Sequence, residues 1–127
     1  MTNTVPAGKE RPGTAREKRN LLEQINTYVE AHLEEKITLK RIASQFSVSV
    51  STVTQLFQKK TEGTFHAFVT DRRMERARTL IQQGLPLEAV GRAIGYQDHS
   101  TFYRAFRQTF GISPREYRKQ MHPEAAE

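Results

Sequence analysis

Polar side chains that can form paired hydrogen bonds line one face of a predicted helix near the end of the chain. This outward face carries Ser100, Tyr103, Arg104 and Arg107. The opposite face carries Phe102, Phe106 and Phe110, which are spaced by four and form a buried stripe. A guanidinium group can donate two hydrogen bonds to guanine O6 and N7, so Arg104 is the first candidate for reading a base. A phosphate contact, or a salt bridge to Asp98, is the alternative.

The helix that follows Ser49 presents a comparable face, without an Arg, Lys or aromatic residue. This face carries Ser51, Thr54, Gln55 and Gln58, whereas Val53, Leu56 and Phe57 point inward. The Gln55 amide has the fork geometry that pairs with adenine N6 and N7; a solvated surface glutamine is the alternative. The hydroxyl groups of the two faces are expected to touch a phosphate or a thymine methyl group. They belong to Ser51, Thr54, Ser100 and Tyr103.

A polar helix face must be held by neighbouring elements. For the face that carries Arg104, the preceding residues predict a short helix and a turn. Leu87, Val90 and Ile94 mark one side of a short helix. Gly95 can adopt the positive φ of a sharp turn, and Asp98 can cap the helix that follows. A helix, a glycine turn and a second helix with an outward arginine face are typical of a DNA-binding helix-turn-helix.

The same unit occurs earlier in the chain. Thr38 can cap a first helix and Ser49 a second one. The apolar residues Ile42, Phe46 and Val48 align with Val90, Ile94 and Tyr96 at an offset of 48. After a one-residue insertion the outward residues align at an offset of 49. Turn, cap and both faces recur together, so we interpret the pattern as an internal repeat that makes a two-headed module.

The remaining segments are predicted to frame the two units. A helix is predicted from about 19 to 35, with His32 as a partly buried packing residue. Thr64 is predicted to start a linker helix, and Ser113 followed by Pro114 a short last helix. The predicted plan is a disordered arm (1–18), a first helix-turn-helix subdomain (19–63), a linker helix (64–83), a second helix-turn-helix subdomain (84–121) and a tail (122–127). About seven helices and no strand make the expected fold all-α.

Charge and composition narrow the class of partner. Residues 36–119 hold 15 Lys or Arg against 6 Asp or Glu, which gives this part of the chain a net charge of +9. A basic domain of this kind suggests a polyanionic partner, although a solvated surface would look the same. The chain has no cysteine, no apolar run of membrane length and no secretory signal, so a cytoplasmic location is expected.

The stretch Gly95–Arg118 reads G-Y-x-D-x-S-x-F-x-R-x-F-x-x-x-F-G-I-S-P-x-x-Y-R. This signature resembles the DNA-binding domain of AraC/XylS-type bacterial transcription regulators, and the resemblance covers roughly residues 20–120. With no room for a sensory domain, the chain is most similar to the small stand-alone members of the MarA/SoxS kind. Ser47 stands where the family commonly has Gly, Gly91 where it has Ala, and Glu62 where it has Gly.

The resemblance implies two helix-turn-helix subdomains that bind as a monomer to an asymmetric double-stranded DNA site, with base contacts from the third and sixth helices. The implied base-reading residues are Ser51, Thr54, Gln55, His99, Ser100, Tyr103 and Arg104. The candidates for phosphate contacts are Gln58, Lys59, Lys60, Arg107, Arg118 and Lys119. A linker helix of about 19 residues would span roughly 28 Å, close to the roughly 34 Å of one turn of B-DNA.

We therefore predict a sequence-specific regulator, and by resemblance an activator that contacts RNA polymerase. No catalytic, metal, cofactor or small-molecule site is expected, because the four histidines are scattered and no glycine-rich phosphate loop occurs. A protein-partner-binding module, or a non-specific basic DNA-binding module, is the alternative. The polar outward faces disfavour the first, because a partner-binding helix usually shows an apolar stripe.

Overall fold

The computed structural model describes residues 13–60 and 64–125, with the side chains of residues 59, 60 and 125 left aside. Over these residues the chain forms seven α-helices and no strand, which confirms the predicted all-α class. The helices are α1 (Ala15–Ala31), α2 (Leu39–Gln45), α3 (Val50–Lys60), α4 (Phe65–Gln82), α5 (Leu87–Ala93), α6 (His99–Phe110) and α7 (Pro114–Met121). A short 3-10 helix, Pro123–Ala125, follows in the predicted tail.

The predicted N-caps explain where five of the helices begin. In each case a side-chain oxygen accepts a hydrogen bond from the backbone amide three residues on, which satisfies one of the free amides of the first turn. The pairs are Arg41 N to Thr38 Oγ1 (3.1 Å), Thr52 N to Ser49 Oγ (3.0 Å), Ala67 N to Thr64 Oγ1 (3.1 Å), Thr101 N to Asp98 Oδ1 (2.8 Å) and Glu116 N to Ser113 Oγ (3.0 Å).

Helix α1 lies about four residues nearer the N-terminus than predicted. Thr14 and Glu17 form a reciprocal capping box, which starts the helix at Ala15. Periodicity misses this start because the apolar stripe begins only at Leu21. The predicted arm therefore gives way to a helix at its C-terminal end, and residues 1–12 lie outside the described part. The His32 ring accepts or donates a 2.7 Å hydrogen bond at the Tyr28 carbonyl and stacks on the Tyr28 ring, which confirms its packing role.

The described residues divide into two compact units. Unit 1 comprises the described parts of Met1–His32 and Ile37–Val69, and unit 2 comprises Leu33–Lys36 and the described part of Thr70–Glu127. Each unit buries the apolar residues of its own repeat copy. Fully or almost fully buried in unit 1 are Ile25, Val29, Ile42, Val53, Leu56 and Phe57. The core of unit 2 consists of Met74, Ala77, Ile81, Val90, Ile94, Phe102 and Phe106.

Four residues before α2 pack with unit 2, although the predicted plan has them in the first subdomain. Leu33 is buried. The Arg73 guanidinium donates hydrogen bonds to the Leu33 carbonyl (3.3 Å) and to the Glu35 carbonyl (2.9 Å). Arg73 also lies over the Tyr96 ring, 5.7 Å from its centroid. Burial lowers the pKa of Arg73 and raises that of Tyr96.

The turn between the two helices of each copy has one backbone geometry. Helices α2 and α5 have seven residues each and start at equivalent positions. The residue after each C-cap has a positive φ, 59° at Ser47 and 99° at Gly95. The next amide then bonds back to the helix, Val48 N to Ala43 O at 3.0 Å and Tyr96 N to Gly91 O at 2.9 Å. Glycine suits this conformation, and serine adopts it under strain.

We therefore expect opposite effects of exchanging glycine at the two turns. Ser47→Gly should stabilise unit 1 by a few tenths to about 1 kcal/mol, because the relief of strain exceeds the added entropy of the unfolded chain. Gly95→Ala should destabilise unit 2 by at least about 1–2 kcal/mol. A Cβ atom there would also clash with the Leu33 carbonyl oxygen. Urea unfolding of the two variants measures both effects, and a stabilising Gly95→Ala would contradict the assigned turn.

Gly91 has a packing role that helix propensity does not reveal. A Cβ atom at Gly91 would lie 3.3 Å from the Phe102 ring, which is closer than an ordinary van der Waals contact. Phe102 is fully buried against this helix. The loss of helix propensity at Gly91 therefore accompanies a close approach of α5 and α6 within unit 2.

Candidate nucleic-acid interface

Helix α6 presents most of its predicted polar residues to solvent. His99, Ser100, Arg104 and Arg107 are exposed, and Tyr103 is half-buried. The opposite side of the helix is held by Phe102 and Phe106, which are completely buried. Phe110, the third member of the predicted stripe, is only half-buried. The structure thus brings the five predicted residues of this face together on one side of α6.

The start of α6 is fixed by Asp98. Its carboxylate accepts hydrogen bonds from the Thr101 amide (2.8 Å) and from the Thr101 hydroxyl (3.0 Å). The hydrogen bond from the Thr101 amide lowers the pKa of Asp98 most, followed by the bond from the Thr101 hydroxyl. The positive charge of Arg104 lowers this pKa further. An ionised carboxylate at the cap therefore attracts the Arg104 guanidinium while leaving the helix face itself basic.

Two aromatic side chains of the α6 face, His99 and Tyr103, lie one turn apart at the start of the helix. The ring centroids of His99 and Tyr103 lie 6.2 Å apart, and those of His99 and the buried Phe102 lie 5.9 Å apart. The His99 ring packs against these two rings, and His99 is nevertheless exposed.

Helix α3 presents the equivalent face in unit 1. Ser51, Gln55 and Gln58 are exposed, and Thr54 is half-buried. The predicted inward residues of this helix are buried. Val50, the first residue of α3, is also exposed and lies beside these polar groups. Val50 was not among the predicted candidates, because an apolar residue is normally assigned to the core. The internal repeat indicates that Val50 belongs to the outward face, because an offset of 49 aligns it with His99.

The cap of α3 uses the same two positions as that of α6, although the hydrogen bond between the two side chains runs in the opposite direction. The Ser49 hydroxyl donates a 2.9 Å hydrogen bond to the Thr52 hydroxyl and accepts one from the Thr52 amide. Thr52 and Thr101 occupy the same place in the two copies, and Thr52 is buried. The Ser49 and Thr52 hydroxyl groups near Val50 are thus hydrogen-bonded within the cap. A side-chain N-cap thus fixes the start of both helices that carry the polar faces.

The predicted phosphate-binding residues fall into three groups. Gln58, Arg107 and Lys119 are exposed, so they are accessible to a charged partner. The side chains of Lys59 and Lys60 lie outside the described part. Arg118 donates hydrogen bonds to the Leu85 carbonyl (2.9 Å) and the Gly84 carbonyl (3.2 Å). Arg118 therefore stabilises the turn between α4 and α5, a structural role that its exposed-face pattern does not indicate.

Besides Arg73, a second arginine of α4, Arg78, has identified contacts within unit 2. Arg78 donates a 2.8 Å hydrogen bond to the Glu75 carboxylate and lies 5.0 Å from the centroid of the Phe110 ring. This pair is an i, i+3 contact on the surface of α4. At the end of α4, the Gln82 amide bonds to the Tyr117 hydroxyl at 2.6 Å. These contacts hold α6 and α7 against the linker helix within unit 2.

Other kinds of site are not found in the part of the chain that the structure describes. Among residues 13–60 and 64–125, no three His, Asp or Glu side chains are grouped so that they could hold a metal ion. None of the described helices is long and apolar enough to cross a membrane.

The chain is similar in sequence to known helix-turn-helix proteins. A family described as "Helix-turn-helix domain" matches residues 42–120. The chain is 32% identical over 115 residues to the uncharacterized HTH-type transcriptional regulator YijO of Escherichia coli, covering 90% of this chain and 41% of YijO. It is 38% identical over 102 residues to the transcriptional activator NphR of a Rhodococcus species, covering 78% of this chain and 30% of NphR. The chain thus spans less than half the length of these relatives.

Two solved structures have the same fold. A transcriptional regulator of the AraC-type DNA-binding class from Chromobacterium violaceum superposes with a TM-score of 0.78 and 28% identity, covering 84% of this chain and 96% of that one. A DNA-binding transcriptional dual regulator from Escherichia coli K-12 superposes with a TM-score of 0.75 and 28% identity, covering 81% of this chain and 93% of that one.

Proposed function

Since the chain belongs to the AraC-type family of helix-turn-helix transcription regulators, and is thus a DNA-binding regulator, we propose that it recognises one asymmetric duplex site. In this proposal a single chain binds about 20 bp and inserts α3 and α6 into two major grooves. Two blocks of sequence, one for each recognition helix, would then specify the site.

The observation that carries this proposal is the repeat of one exposed face with different side chains. Helices α3 and α6 have equivalent caps, buried sides and exposed sides. Their outward residues differ: Gln55 in the first copy stands where Arg104 stands in the second. A symmetric dimer presents two identical faces and favours a palindrome. Two unlike faces in one chain favour two unlike half-sites.

Each face has groups suited to base edges and groups suited to phosphates. We assign base contacts to Ser51, Thr54, Gln55, His99, Ser100, Tyr103 and Arg104. Phosphate contacts are assigned to Gln58, Lys59, Lys60, Arg107 and Lys119, with Arg118 contributing charge from its place beside the turn between α4 and α5. Phosphate contacts position the protein and make binding sensitive to salt, whereas base contacts select the sequence.

The regulatory role extends the same proposal. One relative is named as a transcriptional activator and one structural neighbour as a dual regulator. We propose that this chain activates transcription in the bacterial cytoplasm by contacting RNA polymerase at its promoter sites. The proposal needs no cofactor and no small-molecule ligand for DNA binding. Saturable binding of a metabolite that alters DNA affinity would contradict that part of the proposal.

Selection from a random duplex library tests the proposal. The expected result is an asymmetric consensus of about 20 bp, with two blocks separated by about one helical turn. A palindrome would indicate a dimer and contradict the single-chain arrangement. A single short block would mean that one helix reads bases while the other only binds the backbone. No enrichment over random duplex would favour a protein-binding module or a non-specific basic DNA-binding module, because specific regulators prefer their sites by roughly 10³ or more.

A further inference from the structure

We propose that Val50, together with Thr54, forms an apolar contact for the 5-methyl group of a thymine in the half-site that α3 reads. The inference rests on the proposed function and deepens it, because it names the base that the first recognition helix prefers. Val50 thereby becomes a specificity-determining residue beside Ser51 and Gln55.

The exposure of Val50 is the first observation. Its side chain is 40% exposed, and Met121 at the end of α7 is the other large apolar residue so exposed among those the structure describes. Single exposed apolar residues are common on protein surfaces, so exposure alone identifies nothing. The position of Val50 on the recognition helix gives the exposure a meaning.

Val50 opens the polar face of α3. Thr54 follows one turn later, so the two side chains lie on the same side of the helix. The hydroxyl groups of Ser49 and Thr52 bond to each other at 2.9 Å and turn toward the cap. The beginning of this face therefore presents the exposed Val50 side chain, with the half-buried Thr54 one turn later and the exposed Ser51 beside it.

The chemistry of the major groove matches these groups. Thymine is the only base that places a methyl group there, and apolar side chains are its usual contacts. The exposed Gln55 on the next turn can pair with the N6 and N7 atoms of adenine. An apolar contact followed by an amide fits an A·T pair, or two adjacent pairs, better than a G·C pair.

The second copy shows that this feature belongs to α3 alone. The positions equivalent to Val50 and Thr54 carry His99 and Tyr103, whose ring centroids lie 6.2 Å apart. Arg104 follows, and its guanidinium group suits guanine. The two recognition helices are thus built for different bases: α3 for thymine and adenine, and α6 for guanine.

Removal of single thymine methyl groups tests the inference. Each thymine of the selected site is replaced in turn by deoxyuridine, which lacks only the 5-methyl group, and binding is measured for the full chain. We expect one replacement, in the block unaffected by Arg104→Ala, to weaken binding by about fourfold, the factor for burying one methyl-sized group. In Val50→Ala the same replacement should have no further effect, because the contact is already lost.

Two variants serve as controls. Val50→Thr keeps one methyl group and the β-branch, so it should retain part of the sensitivity to deoxyuridine. His99→Ala changes the equivalent position of α6 and should leave the sensitivity in the other block intact. Circular dichroism verifies that Val50→Ala folds, as expected for an exposed residue in a first helical turn.

The outcomes separate this inference from the function on which it rests. A specific site at which no thymine methyl affects binding overturns the role of Val50 while the proposed function stands. Equal deoxyuridine effects in the native chain and in Val50→Ala assign the methyl contact to another residue and also overturn it. If the library enriches no sequence, the proposed function fails first and the inference fails with it.

Discussion

Phe106→Ala is expected to lower the free energy of unfolding of unit 2 by about 3–5 kcal/mol, as for other fully buried aromatic residues. The Phe106 side chain has no exposed surface. Its ring centroid lies 4.7 Å from that of Phe110, 6.0 Å from Phe102 and 5.8 Å from Tyr117. The removed ring therefore leaves a cavity between α6 and α7. A small helical unit has little stability in reserve, so α6 should unfold in a large fraction of the molecules.

Urea unfolding followed by circular dichroism measures the loss, and amide hydrogen exchange locates it. Exchange should accelerate most in α5, α6 and α7, because their apolar residues pack in the same core as Phe106. Phe110→Ala is the matched control, because Phe110 is a half-buried phenylalanine at the end of the same helix. It should lose clearly less stability than Phe106→Ala. A Phe106→Ala variant that loses less than about 1 kcal/mol would contradict the central place of this ring.

Arg104→Ala is expected to remove most of the preference for one G·C pair in the selected site. A paired hydrogen bond from arginine to guanine contributes about 1–3 kcal/mol of discrimination, so the preference should fall by roughly 5- to 150-fold. Arg104 is exposed at the centre of the α6 face, and the ionised Asp98 attracts its positive charge. Affinity for random duplex should fall much less, because only one positive charge is removed. Competition binding with single-pair variants of the site measures both quantities.

Two variants separate base reading from charge. Arg104→Lys keeps the positive charge but lacks the planar fork, so it should lose most of the discrimination and retain affinity for random duplex. Arg107→Ala changes another exposed arginine of the same helix. It should weaken specific and random binding alike and reduce the salt dependence by about one charge. Equal losses on specific and random DNA for Arg104→Ala would instead make Arg104 a backbone contact.

The parts of the fold that follow from local patterns agree with the predictions. The caps at Thr38, Ser49 and Asp98 depend on residues three positions apart, and all three are formed. The inward and outward sides of α3 and α6 follow from helical periodicity, and the structure exposes the predicted outward residues fully or in part. Whether these residues contact DNA stays a prediction, because it depends on a partner that the chain does not contain.

The features that escaped prediction depend on contacts between residues distant in sequence or on small local exceptions. Arg73 reaches the Leu33 and Glu35 carbonyls across about 40 positions, and carbonyl acceptors leave no trace in a residue pattern. Arg118 resembles any surface cation of α7, yet it donates hydrogen bonds to carbonyl groups in the turn between α4 and α5. Val50 was missed for another reason, since residue type alone assigns valine to the core.

The packing of Leu33–Lys36 with unit 2 limits how the molecule can be divided. The chain leaves unit 1 after His32, contributes four residues to unit 2 and returns to unit 1 at Ile37. A fragment that begins at Thr70 lacks the carbonyl groups that Arg73 binds and the segment that Gly95 packs against. No single cleavage therefore yields two self-sufficient halves. Although the sequence reads as a tandem duplication, neither copy is an interchangeable part, and a functional chimera would have to exchange the short segment together with the second half.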